Sequence, residues 1–331
     1  MTAVRYDVLG LGNAIVDVIT RADEDFLVKH GMRKGTMSLI DEGRAALIYD
    51  AMGPAVEVSG GSAANTVVGT AGLGARAAFI GRVKDDALGT VFMHDIRAAG
   101  VVFDTAPSAE GPSTGRCYVL VTPDGERTMN TYLGAAQDLH PRDIDGDVVA
   151  GAAITYLEGY LWDQPRAKEA FRHAARVAHA AGRRVALTLS DGFCVDRHRA
   201  DFHTLVDDEV DILFANEAEI RSLYEVDDFD DALQRVQHHC EIAALTRSER
   251  GAVIVARDEV HVVDAHPVPD VVDTTGAGDQ FAAGFLFGLT HGYHLGTAAR
   301  LGARAAAEVI GHLGARPETA LATLAAPLLA D

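Results

Sequence analysis

The sequence predicts an α/β protein with a central, mostly parallel sheet, and three observations carry that prediction. From Ile154 onward, apolar runs of strand length alternate with amphipathic helical segments, the pattern of crossover units in a parallel sheet. The 33 glycines sit in discrete turns, with no low-complexity tract, convincing internal repeat or long Ser/Pro/Gly linker dividing the chain. Apolar residues make up 48% of the 331, enough for a large core, so one domain over residues 1–331 is expected.

The elements follow in order. YDVLGLGNAIVDVIT is an apolar run interrupted by glycines, DEDFLVKHG a short helix stopped by Gly31, and TMSLID a short strand. SGGSAANTVVGTAGLG places two glycines before a helix of small apolar residues, and AAFIGRV follows as a buried strand. DALGTVFMHDIRAAG has helical spacing and VVFDTAP reads as a strand. GRCYVLVTPDGERTMNTYLGA alternates like a hairpin turned at Pro123, Asp124 and Gly125. Beyond it, ITYLEGYL, RVALTLS, DILFAN and IAALTRS are strands, separated by the helices QPRAKEAFRHAARVAHAAG, RHRADFHTLVDD, EAEIRSLYE and DDALQRVQHHC. The hairpin AVIVARDEVHVVDA and the helices GDQFAAGFLFGLTHG and HLGTAARLGARAAAEVIGHLG follow. Ligands of such sheets bind at the carboxyl ends of the strands. The short segments near residues 13–18, 33–41 and 113–133 are expected to form a small sheet over that edge, as a lid.

Charge and composition narrow the partners. Lys plus Arg number 29 against 48 Asp plus Glu, a net charge of −19 that opposes non-specific binding to nucleic acid or an anionic membrane. An anionic ligand must then be held by backbone dipoles or a few local cations. Cys117, Cys194 and Cys240 have spacings of neither a disulfide framework nor a Cys-rich zinc site, which suits a reducing cytoplasm. No apolar run reaches the roughly 18 residues of a membrane span, and MTAVRYDVLG lacks a basic region followed by a hydrophobic stretch. A soluble, unexported protein is expected.

The strongest chemical signal is Asp273-Thr274-Thr275-Gly276-Ala277-Gly278-Asp279, running straight into the helix QFAAGFLFGL. At a helix start the amides of Gly276, Ala277 and Gly278 lack intrahelical partners and point along the positive dipole end, an anion cradle that small residues leave open. Asp279 beside it is a candidate general base. The plain alternative is a tight turn with Asp279 as a cap. GLGNAI also suggests a dinucleotide fingerprint, but Ile15 stands where its third glycine belongs.

DTTGAGDQFAAGF resembles the second signature of the ribokinase-like (PfkB) family of carbohydrate and nucleoside kinases. The first signature is matched by GGSAANTVVGTAGLGARAAFIGRVKDDALG, Gly60 to Gly89. The likeness runs from GLGNAIVD to GARP, and implies a three-layer α/β/α fold with a small β lid. It implies ATP-dependent phosphoryl transfer, with Asp279 deprotonating the acceptor hydroxyl and the Gly276, Ala277 and Gly278 amides stabilising the transferring phosphoryl group. Asn216-Glu217-Ala218-Glu219 is similar to the family's Asn-x-x-Glu motif, which would set Glu219 to organise Mg²⁺ through water and Asn216 towards the nucleotide. An ordinary acidic helix start capped by Asn216 is the alternative. Thr246, Ser248 and Gly251 match an ATP-contacting loop in which Ser248 replaces a glycine. Asn13, Asp17, Gly60, Gly61 and Asn65 match positions that meet substrate hydroxyls. Asp273 and the Thr275 carbonyl match the first ligands of a monovalent cation such as K⁺, the rest coming from carbonyls around Val309 to Glu318; Asp273 as a plain turn cap is the alternative.

Lys84 stands where relatives usually carry glycine, which implies mild strain if the site needs positive φ. His238-His239-Cys240 reads as a solvated helix face rather than a metal cluster, and Trp162 as packing. GLGNAIVDVITRADEDFLVKHGMRKGTMSLID and DGERTMNTYLGA are similar to the adenosine-kinase branch, although Thr275 follows the sugar-kinase form. The expected acceptor is therefore a ribosyl primary hydroxyl, with adenosine or a related nucleoside favoured, and Met37, Leu39 and Tyr118 guessed as walls of a base slot. A sugar kinase of the ribose, fructose or ketodeoxygluconate type is the alternative, and a non-catalytic nucleotide- or sugar-binding regulatory protein an alternative of another class. A monomer or a lid-paired homodimer is expected.

Overall fold

The structure is a computed structural model that describes residues 3–257 and 259–329. Its strands are β1 (Tyr6–Leu11), β2 (Ile15–Arg21), β3 (Met37–Leu39), β4 (Val56–Gly60), β5 (Ala77–Ile80), β6 (Gly115–Val121), β7 (Arg127–Tyr132), β8 (Ala152–Glu158), β9 (Arg184–Thr188), β10 (Ile212–Asn216), β11 (Ile242–Thr246), β12 (Ala252–Ala256) and β13 (Glu259–Val263). Its helices are α1 (Glu24–Lys29), α2 (Glu42–Ala51), α3 (Ser62–Gly72), α4 (Ala87–Ala98), α5 (Gly146–Ala150), α6 (Pro165–Ala180), α7 (Gly192–Asp208), α8 (Glu217–Tyr224), α9 (Phe229–Val236), α10 (Ala277–Thr290), α11 (Leu295–Val309) and α12 (Leu321–Leu329).

Eight strands form the main sheet in the order β13-β12-β11-β10-β9-β8-β1-β5. Neighbours from β11 across to β5 are parallel, and the pairs β11–β12 and β12–β13 at one edge are antiparallel. Central strands such as ILFAN and IAALT are unbroken apolar runs because helices cover both of their faces. One face packs on α5 to α9 around Trp162, Phe171 and Phe202; the other packs on α3, α4, α10 and α11 around Phe79, Phe92 and Phe285. Each such buried ring contributes about 2–3 kcal/mol of transfer free energy. Trp162 is packing, as expected: it is fully buried, stacks 5.8 Å from Phe202 and donates from Nε1 to Asp201.

A second sheet of five strands, in the order β3-β7-β6-β2-β4, is the lid of the fold. The β6–β7 hairpin turns at Thr122–Glu126, where the Thr122 amide donates to the Glu126 carbonyl and the Gly125 amide to the Thr122 carbonyl. Strand β4, absent from the sequence reading, is its fifth member, because VEVSG runs into the glycine pair that opens α3. Helix α2, also unread, covers the outer face through Ala45 and Ile48.

Several readings change. VVFDTAP is no strand: within it only Val102 bridges, to Ala78, and the next bridge, Ser108 to Lys84, comes after Pro107, which has no N–H to donate to a continuous ladder. DDALQRVQHHC is helical only to Val236, so His238, His239 and Cys240 form a turn, with His239 Nδ1 2.5 Å from Asp207. The strain expected at Lys84 is not there, since the non-glycine residues with positive φ among those described are Ser190, Glu225, Ser248 and Arg257. Asp258, in the turn of the predicted hairpin AVIVARDEVHVVDA, lies outside the described residues. Among the described residues no helix is long and apolar enough to cross a membrane.

Helix α10 is buried almost all round, between α3 and α11, and its approach to α11 depends on a missing side chain. A Cβ on Gly284 would lie 2.5 Å from the backbone of Leu301 and Gly302. Gly284→Ala is expected to cost about 1–3 kcal/mol by forcing these helices apart. Urea unfolding checks it, and an unchanged midpoint would show that the two helices separate freely.

Candidate active site

The carboxyl ends of β1, β8, β9, β10 and β11 open into one cavity of about 1870 Å³ that reaches beneath the smaller sheet. A single small ligand occupies roughly 300–1,000 Å³, so the cleft has room for two.

At its centre is the start of α10. Gly276 caps the helix at φ 80°, and Gly276, Ala277, Gly278 and Asp279 all line the cavity. Asp279 Oδ1 accepts from Ser62 Oγ at 2.6 Å and Oδ2 from Asn65 Nδ2 at 3.1 Å. These two hydrogen bonds join the predicted motifs. Burial pushes the Asp279 carboxyl up to about 6, against the pull of the Ser62 and Asn65 donors and the Arg316 charge.

Asp17, on β2, faces the same space. Burial raises it to about 6 as well, with Arg316 and Arg127 pulling down and Asp279 pushing up. Gly61 lines the cavity at the β4–α3 junction, where φ is 101° and a Cβ would lie 2.1 Å from the Asn13 carbonyl oxygen. Gly60 is not a lining residue; it backs the Asp17 carboxylate, which a Cβ would meet at 2.5 Å. Asn13 and Asn65 line the cavity, and each carries a buried Oδ1 that no protein group donates to. Two acceptors therefore await a donor.

Three charged residues were not singled out from the sequence. Glu158 at the end of β8 is 1% exposed and accepts from Asn13 Nδ2 at 2.6 Å, Ala63 N at 2.9 Å and Asn13 N at 3.2 Å. Burial pushes it up to about 7. Its signal was the acid ending the apolar run ITYLE, at the edge where ligands bind. Arg316, in the GARP segment, donates from Nη2 to Ser59 at 2.7 and 2.9 Å, and burial lowers it to about 10. Arg127, the first residue of β7, places Nη1 2.8 Å from Asp273 Oδ2 with both side chains more than nine-tenths buried.

That contact bears on the expected cation site. Asp273 also accepts from Thr275 N at 3.0 Å and Gly314 N at 3.1 Å, so its carboxylate is bound by three donors and does not line the cavity. Thr275 does line it.

At the other end, Asn216, Thr246, Ser248 and Gly251 line the cavity. Ser248 adopts φ 52°, the left-handed conformation of the glycine it replaces. Asn216 and Glu219 form a reciprocal capping box, with Asn216 Oδ1 accepting from Glu219 N and both Glu219 oxygens accepting from Asn216. The helix start and the site are thus one structure. Burial pushes Glu219 up to about 7, and the nearby Asp191 charge adds to this. The segment from Ala265 to Val271 and the small residues Ala303, Ala306 and Ala307 of α11 form an apolar slot that sequence reasoning did not find.

Of the guessed base-slot residues, Met37 and Leu39 line the cavity and Tyr118 does not. Alternation along β6 turns Cys117 and Val119 inward and Tyr118 outward, where Arg116 Nε donates to its hydroxyl at 2.7 Å and its ring lies 6.2 Å from that of Tyr49.

Residues 52–320 match the pfkB family carbohydrate kinase description, and the chain belongs to that family. An adenosine kinase from Sinorhizobium meliloti superposes with a TM-score of 0.91 at 55% identity, covering 98% of this chain and 99% of that one. A probable sugar kinase protein from Rhizobium etli superposes with a TM-score of 0.92 at 53% identity and the same coverage. An ATP-dependent ribose-1-phosphate kinase from Halopiger xanaduensis is 33% identical over 236 residues, 69% of this chain and 72% of that protein. This protein is a kinase of the sugar and nucleoside class, and its family implies ATP used with a metal ion.

The raised value of Asp279 has a thermodynamic consequence. Its folded-state value lies above the ordinary carboxylate range, so the ionised form is penalised on folding, and this group adds stability as pH falls through about 6. Asp279→Asn removes the penalty, and Asn65 can turn its partnerless oxygen to the new amide. The variant is expected to melt above the wild type near about pH 8, the gap narrowing on acidification. A thermal melt series checks it; a lower melting temperature at every pH would contradict the assignment.

Proposed function

We propose that this chain, as one catalytic unit over residues 1–331, transfers the γ-phosphoryl group of ATP to the primary hydroxyl of a ribosyl nucleoside, adenosine or a close relative. The observation that carries the substrate is the wall around Asp17 on the inner face of the lid sheet. Ile15, Ile19, Met37, Leu39, Val119 and Met129 form an apolar surface beside Asn13, Asp17 and Asn65, and Leu39 is 56% exposed. A flat base covers such a wall, whereas a free sugar leaves it bare. The likeness to the Sinorhizobium meliloti adenosine kinase supports this reading.

The chemistry follows from the placements. The Asp17 carboxylate and the partnerless Asn13 and Asn65 oxygens accept hydrogen bonds from the ribose hydroxyls. Asp279 takes the proton of the attacking hydroxyl, its lone pairs aimed by Ser62 and Asn65. The amides at Gly276, Ala277 and Gly278 hold the phosphoryl oxygens at the positive end of α10. Thr246, Ser248 and Gly251 flank the nucleotide, and the slot between 265–271 and α11 takes its base. Glu219, beside Asp191, is the oxygen donor set that suits Mg²⁺, and because Asn216 already binds both Glu219 oxygens, it would hold the ion through water. Bound Mg²⁺ would neutralise charge on the phosphates.

A second reading, a sugar phosphate acceptor, is favoured by Arg33, a cation that lines the same stretch of wall. We propose a monomer, because α2 covers the outer face of the lid sheet. The charge and the cysteine usage support a cytoplasmic protein.

ADP release with MgATP and a panel of adenosine, other nucleosides, ribose, fructose, ribose-1-phosphate and ketodeoxygluconate decides the acceptor. Turnover with adenosine is expected, and turnover confined to sugars or sugar phosphates would overturn the nucleoside reading. Leu39→Ala is expected to raise KM for adenosine about tenfold with kcat kept. Asp279→Asn is expected to lower kcat by ~10²–10⁴, and kcat/KM of the wild type to fall below about pH 6 as the base is protonated.

A further inference from the structure

The expected monovalent cation and the observed geometry of Asp273 do not agree. A metal ion at this carboxylate needs free oxygen lone pairs and a site without a competing charge. Asp273 is instead bound by the Thr275 and Gly314 amides and by the Arg127 guanidinium, in a setting almost closed to water. A second cation on the same carboxylate would face the repulsion of Arg127 at close range in a low dielectric. The loop around residues 309–318, expected to present carbonyls to an ion, sends the Gly314 N–H to Asp273 instead.

Arg127 is not part of the loop it serves. It stands at the start of β7 in the lid sheet, whereas Asp273 lies three residues before Gly276, where α10 begins. The pair is therefore a cross-link between the lid and the anion cradle. Nε and Nη2 of Arg127 are buried without protein partners, so this guanidinium is held by Asp273 and not by its own sheet. Removing one member of such a pair leaves an uncompensated buried charge.

From this contact we propose that Arg127 is the resident cation of the Asp273 site: the lid delivers a guanidinium where a monovalent metal ion was expected, and the catalytic loop is ordered without K⁺. Arg127 acts through Asp273 and the turn that follows, as a positioning residue. The inference rests on the kinase reading of the site, and its primary test needs no acceptor.

The ligand-free protein is melted in tetramethylammonium chloride and in potassium chloride of equal ionic strength. Wild type is expected to melt alike in both. Arg127→Ala, and Arg127→Met, which keeps the apolar stem as a guard against misfolding, are expected to be stabilised by K⁺ specifically. Adding Asp273→Asn should abolish that response. In ADP release with whichever acceptor the panel identifies, wild type should agree within about twofold between the two salts. The Arg127 variants should lose about tenfold or more without K⁺ and regain much of it with K⁺ or guanidinium. A wild type that K⁺ stabilises or activates would overturn the proposal, as would variants indifferent to K⁺. Failure of adenosine as acceptor leaves the melting result standing, so the two readings fail separately.

Discussion

Everything in the site depends on keeping one carboxylate, Asp279, in a desolvated place at the start of a helix. Water is a better solvent for a carboxylate than a protein interior, so the fold must supply donors in its place. It supplies Ser62 and Asn65 from the first turn of α3, and the partial positive charge at the start of α10. These helices can approach because small residues meet where they cross: a Cβ on Gly69 would lie 2.1 Å from Gln280 Oε1 and 2.8 Å from the Ala283 Cβ. Gln280, fully buried, donates from Nε2 to the carbonyls of Asn65 and Ala315 and ties α3, α10 and the Arg316 segment into one body. The two signature motifs, far apart in the chain, form a single hydrogen-bonded unit.

The second constraint is the division of the molecule into two sheets with a cavity between them. The carboxyl ends of the main parallel strands bring together Asn13, Glu158, Asn216 and Thr246, because successive parallel strands end at the same edge. The smaller sheet contributes Asp17, the apolar wall and Arg127. The carboxylates at the centre, Asp17, Glu158 and Asp279, are all pushed towards neutrality by burial, and the Arg316 charge draws Asp17 and Asp279 back. Such a site is costly to fold and correspondingly ready to accept donors and cations from ligands.

The elements that could be read in advance were those whose local pattern and tertiary environment agree. QFAAGFLFGL is apolar on nearly every side because it is buried on nearly every side, and the central strands ILFAN and IAALT are apolar runs for the same reason. VVFDTAP had the composition of a strand and lacked a partner beyond one bridge, and VEVSG was passed over beside the more conspicuous glycine pair that follows it. Among site residues, Asn216 and Glu219 were open to two readings, cap or ligand organiser, and the geometry satisfies the first without removing either residue from the cavity. Tyr118 shows the limit most plainly: a position one residue off along a strand is on the wrong face.

What the sequence determined by itself was the class of fold and the family's two signature motifs, including the glycine-rich start of α10 with Asp279 in its first turn, because these rest on contacts within a few residues or on motif spacing. Only the tertiary structure decided that Glu158 and Arg316 belong beside Asp279, that Gly60 supports Asp17 from behind, and that Asp273 is paired with Arg127 across the cleft. The physical reason is the range of the interaction. A helix start or a strand run is specified by neighbours in the chain, whereas the charge environment of a buried carboxylate is set by whichever segments the packing brings within a few ångströms.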